Sequence, residues 1–180
     1  PATNVKLTDM GTVSDMAVDG AGNLYYVREV MAGGINYGRY SVCKISSSGV
    51  VTTVAGGGTV LPGDTGAMVA TTAKLDPSYM TGLRFTLDST GNLYIFDATS
   101  NPANTGVNSA NGPRIRKVDT NGQMTTIAGA GTAFVEGAPA TNVKLTDMGT
   151  VSDMAVDGAG NLYYVREVMA GGINYGRYSV

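Results

Sequence analysis

The chain has 180 residues, of which 43% are hydrophobic and 14% charged, with a formal net charge of −2. This composition fits one packed domain rather than a disordered segment, and its slight acidity argues against nucleic acid or an anionic membrane as partner, since both recruit a basic face. No apolar run approaches the roughly 20 residues that span a bilayer, and with no histidine at all the chain cannot form a Cys–His nucleophile or a Ser-His-Asp triad from its own residues.

In chain order, Pro1 stands where a Met would and reads as a processed or arbitrary start. Four short strands are then predicted, over 13–18 (VSDMAV), 23–28 (NLYYVR), 39–45 (RYSVCKI) and 50–55 (VVTTVA). An Asp-x-x-Gly-Asn turn from Asp19 to Asn23 joins the first two, with the Asp accepting backbone N–H groups and Gly22 taking positive φ. The turn "SSSG" joins the last two. Leu24 and Tyr26 point to one face of the second strand, Tyr25 and Val27 to the other, so that strand is apolar on both faces and needs a sheet on each side. Cys43, the single cysteine, cannot form an internal disulfide and reads as a buried apolar thiol. The glycines of "AGGGT" at 55–59 read as a flexible link, because no Gly-Lys-Ser/Thr phosphate loop follows.

The pattern then returns. Strands are predicted over 82–87 (GLRFTL), 92–97 (NLYIFD), 113–118 (PRIRKV) and 123–128 (QMTTIA), with turns at Asp88–Asn92 and "DTNG". Short helical turns are allowed near 66–75 and 137–145, where Ala is frequent. In "RIRK", Arg114 and Arg116 share one face and Ile115 and Lys117 the other, which reads as a solvated outer strand. From residue 139 to the last residue the sequence repeats residues 1–42 letter for letter. The unit is therefore about 69 residues long and comes in two diverged versions. The units run 1–73 (version one), 74–143 (version two) and 144–180 (a partial return of version one).

Repeated four-stranded antiparallel meanders, each covered on both faces, describe an all-β chain of β-propeller blades; a two-sheet sandwich would leave one face wet and alternate more cleanly. The run "GDTGAMVATTAKL", then "DSTGNLYIFD", "PRIRKV" and "TTIAGAG" resembles the bacterial NHL repeat over nearly the whole chain. The resemblance implies a propeller, commonly six-bladed. Arg28 and Arg166 stand where that family often carries Asp, whereas Asp97 keeps it. About 2.6 units are present, and a closed propeller has 4–8 blades, so further repeats or other chains are expected to complete the ring.

The segments between second and third strands, near 29–38 and 98–112, are long. They hold the binding candidates Arg28, Glu29, Asn36, Tyr37, Arg39 and Tyr40 in version one, and Asp97, Asn104, Asn108 and Arg114 in version two. The aspartates of the Asp-x-x-Gly-Asn turns read as turn caps rather than calcium ligands, because a closing Glu and further oxygen donors are missing. Some NHL-type propellers are lyases with histidine-bound metal; no residue here matches that role. The expectation is a non-catalytic module with no cofactor and no metal, binding a protein or glycan, or scaffolding, at the cell surface or outside the cell. A homo-oligomer or longer array, as ring or fibre, is the structural alternative.

Overall fold

The computed structural model describes residues 2–6, 13–30, 39–76, 82–98, 113–145, 151–168 and 177–179. They form three antiparallel sheets. The first has the order β1 (Met16–Val18), β2 (Leu24–Val30), β3 (Arg39–Ile45), β4 (Val51–Gly56). In the middle sheet β6 (Arg84–Leu87), β7 (Leu93–Asp97), β8 (Arg114–Val118) and β9 (Gln123–Gly129) repeat that meander. The connector from the first sheet adds β5 (Met68–Val69) to its outer edge, a strand the sequence pattern did not reveal. The third sheet runs β10 (Val151–Val156), β11 (Leu162–Val168), β12 (Arg177–Ser179). The predicted strands appear within three residues of their expected ends. The helical turns are single 3-10 turns at Ala70–Thr72 and Ala140–Asn142.

Each sheet has a forward and a backward face, set by the pleat. Ala17 pairs with Tyr25 and Val27 with Val42, which places these four on the forward face of the first sheet. They pack on Phe85, Leu93 and Ile95 from the backward face of the middle sheet, with Leu75, Leu83, Val118 and Met124. The forward face of the middle sheet carries Phe96, Ile115 and Ala128, and these pack on Val151 and Met154 of the third sheet. The middle sheet is thus covered on both sides, and all five residues of β7 are buried. This explains the run "LYIF": a strand with no wet face has no polar phase to alternate with.

The first strands of successive sheets lie side by side, β1 by β6 and β6 by β10. The first seam is stitched by polar bonds. Arg84 Nη1 donates to the Ser14 carbonyl (2.6 Å), and the Phe85 amide donates to Asp15 Oδ2 (2.9 Å).

The glycine runs are not slack links. Gly58 N–H donates to the Ala73 carbonyl, and Gly131 N–H to that of Val143. A Cβ on Gly58 would overlap the Thr72 carbonyl, and one on Gly131 that of Asn142. The expected flexibility is therefore corrected: these glycines let the strand exit press against the following 3-10 turn.

Candidate functional site

The sheets present equivalent positions at equivalent places, so the site is best read by comparing the two versions at the root of the second-to-third-strand segment. In the middle sheet Asp97 ends β7 opposite Arg114, and Arg116 lies on the same face. Asp97 is fully buried and pairs with Arg116 Nε at 3.0 Å. Arg116 also donates to Thr126 Oγ1 and to the Gly63 carbonyl. Arg114 grips Asp64 with two parallel bonds, Nε to Oδ1 and Nη2 to Oδ2, the latter at 2.9 Å. Both arginines are only 3% exposed, so the solvated outer strand expected for "RIRK" is corrected. The physical reason is the connector: residues 62–64 fold over β8 and bring an acid and two carbonyls to the guanidinium groups. Arg114, chiefly through its hydrogen bonds, holds the Asp64 carboxyl below its ordinary value. Lys117, on the other face, lies 5.4 Å from the centre of the Tyr94 ring.

In the first sheet the same places are taken by Arg28 opposite Ser41, with Cys43 opposite Thr53. The acid–base pair is gone. Cys43 is buried, as expected, but among hydroxyls: Ser41 Oγ at 3.7 Å and Thr53 Oγ1 at 3.8 Å. Arg28 is half-buried, and its Nε has no hydrogen-bond partner among the described residues. Glu29 is buried opposite Tyr40, which is half-buried against the first core.

Of the sequence-selected residues, Arg28, Glu29 and Tyr40 therefore gather at one root, and Asp97 and Arg114 at the matching root one sheet on. Arg39 pairs with Val30 in the ladder. Asn36, Tyr37, Asn104 and Asn108 lie outside the described residues. The sequence reading missed Asp64 and the role of Arg116. The signal was available in the comparison of versions: Asp97 and Arg116 change together, to Arg28 and Cys43.

The turn aspartates act as caps. Asp88 Oδ1 accepts the Thr90 and Asn92 amides, and Oδ2 accepts Asn92 Nδ2 (2.7 Å) and the Tyr94 hydroxyl (3.1 Å). Asp19 does the same with Asn23 and Tyr25, and Asp157 with Asn161 and Tyr163. Burial pushes the Asp88 carboxyl up, but the bonds from Asn92, Thr90 and Tyr94 together outweigh it and hold it well below its ordinary 3.8. Asp19 and Asp157 shift the same way, led by Asn23 and Asn161.

A depressed carboxyl stabilises the fold fully above its unfolded value, and that contribution is lost as pH falls through the folded one. Asp15 and Asp76, raised chiefly by burial, run oppositely: their contribution is present below 3.8 and fades as pH climbs. Asp88→Asn is expected to lower the urea midpoint at pH 7 and to flatten its decline below about pH 4. Midpoints measured from pH 2 to 7 check this, and an unchanged acid slope counts against the cap.

Among the described residues no group of three His, Cys, Asp or Glu is placed to hold a metal ion, and no helix is long and apolar enough to cross a membrane. No protein-family model matches the chain, and no curated protein matches it.

Proposed function

We propose that the three sheets are successive blades of an NHL-like β-propeller, completed as a six-bladed ring by further repeats or other chains, and that the module is non-catalytic. It binds a protein or glycan, or scaffolds, through the segments between second and third strands. One observation carries this reading. The sheets stack forward face on backward face with their first strands side by side, and the middle sheet is covered on both sides. Radial blade packing repeats this relation. Matched register also supports it: Arg28 lies opposite Ser41 and Asp97 opposite Arg114, so both segments leave from the same end of their sheets. Repeated presentation of weak contacts then sums through effective concentration. Low charge and richness in Asn, Thr and Gly agree with a cell-surface or extracellular setting. The absence of histidine from the sequence weighs against a lyase or lactonase.

Self-assembly is the second reading. Apolar side chains left open on the two outermost faces, Met16, Val18 and Tyr163, favour it.

The test replaces residues 31–38, 99–112 and 169–176 by two-residue Asn-Gly turns. Intact and shortened chains are applied to printed panels of surface glycans and extracellular-matrix proteins. Retention of the intact chain, at least tenfold weaker after shortening and with an unchanged melting midpoint, is the expected result. No retention of the intact chain on either panel, or equal retention of both, overturns the binding reading.

A further inference from the structure

The duplicated sequence occurs once with its forward face covered and once with it open. Tyr25 is 7% exposed beneath the middle sheet, whereas Tyr163, the same residue of the same sequence, is 48% exposed. Val27 is fully buried while Val165 is half-buried, and Ala17 is half-buried while Ala155 is exposed. The backward face shows the converse. Met154 is 7% exposed against the middle sheet, and its twin Met16 is 62% exposed.

Local sequence is identical in each pair, so the difference comes from the surroundings: the neighbouring sheet, together with the β3–β4 hairpin that flanks β2 and has only β12 as its counterpart in the third sheet. The structure therefore displays what each open face accepts. A version-one forward face takes the backward face of version two, through Phe85, Leu93 and Ile95. A version-one backward face takes the forward face of version two, through Phe96 and Ile115. No version-one sheet packs on another version-one sheet among the described residues.

We infer that the open Tyr163 face is a docking surface for one occupant, a further version-two unit, and that units are required to alternate. The proposal goes beyond the ring and the ligand: it depends on face-to-face fit and holds for a closed or an open array. The occupant is fixed by continuity with an interface the chain already contains. The version-two backward face is built from aromatic and β-branched groups, Phe85 and Ile95, and it buries Tyr25 while leaving the Tyr25 hydroxyl on Asp19. Tyr163 keeps the same bond to Asp157, so it stands in the docking-competent position before any cover arrives.

The experiment uses the full chain carrying Cys43→Ser and Tyr163→Cys, and reads the rate of maleimide labelling. Two extended chains are compared with it. Both continue after Val180 with residues 43–73, which supplies the fourth strand of the third sheet, with Cys43→Ser in every added copy; a chain ending after that hairpin is the baseline. One then adds residues 74–138, the version-two unit; the other adds residues 5–73, the version-one unit. Labelling in the version-two extension is expected to fall at least tenfold, and lysine at the added copies of Phe85 and Ile95 restores the fast rate. The version-one extension is expected to label as fast as the chain extended by residues 43–73 alone. Ala155→Cys, which removes no bulk from the face, repeats the comparison and guards against a cavity effect at position 163. Fast labelling of both cysteines in the version-two extension overturns the docking surface, and equal protection by both extensions overturns alternation. Neither outcome touches the loop-dependent retention that tests the binding function.

Discussion

Gly131→Ala is expected to destabilise the chain by about 3 kcal/mol, at the upper end of what overpacking costs, because the added methyl meets backbone and not a yielding side chain. The Asn142 carbonyl and the carbon behind it occupy the place of the new Cβ. That carbonyl belongs to the 3-10 turn Ala140–Asn142, which is tied to the strand exit by Gly131 N–H on Val143 and Lys144 N–H on Ala133. Relief therefore means breaking those bonds. Gly58→Ala meets Thr72 in the same way at the first exit and is expected to cost a similar amount. For a chain of this length such a loss corresponds to roughly 6–12 °C in melting midpoint. Gly20→Ala is the control: its Cβ would enter open space, and the expected change is within about 0.5 kcal/mol. Thermal melts of the three variants decide the matter. Equal midpoints for Gly131→Ala and Gly20→Ala mean that the exits do not press together as described.

Arg116→Met is expected to cost about 3–5 kcal/mol, because it leaves the Asp97 carboxylate buried without its guanidinium partner. The same side chain also satisfies Thr126 and the Gly63 carbonyl, so the connector over β8 loosens with it. Asp97→Leu combined with Arg116→Met removes both charges and is expected to recover most of the loss, since two buried charges cost more in desolvation than they return unless every bond is made. Version one already lives without the pair, with Arg28 and Cys43 in the equivalent places, which shows that this sheet geometry does not require it. Urea titrations of the two single variants and the double variant close the cycle. A double variant as unstable as Arg116→Met alone counts against a mutual role for the two charges.

Much of the fold was legible because its signals are local. The Asp-x-x-Gly-Asn turns fix the hairpins with bonds that span six residues or fewer, from Asp19 to Tyr25 and from Asp88 to Tyr94. The doubly apolar second strand announces two covering layers, and in the middle sheet Leu93, Tyr94, Ile95 and Phe96 are all buried between them. The site was less legible because its partners are remote. Arg114 and Asp64 are 50 positions apart, and Asp64 lies on a connector with no periodic pattern. Alternation along "RIRK" correctly placed both arginines on one face but carried no information about what lay above it. Strand β5 escaped for a related reason: two residues, Met68 and Val69, are too few to show a period, and their partners Met124 and Gln123 are remote in sequence, with the Ala70 amide extending the pairing to the Gly122 carbonyl.

The twinned stretch has a thermodynamic consequence. Residues 16–28 and 154–166 share every intrinsic term: rotamer preference, β-propensity, turn chemistry and unfolded-state behaviour. Those terms divide out of any ratio taken between the twins. What is left is the difference between two settings, one flanked ahead and completed by a fourth strand, the other flanked behind and without it, expressed within a single molecule at one temperature and in one solvent.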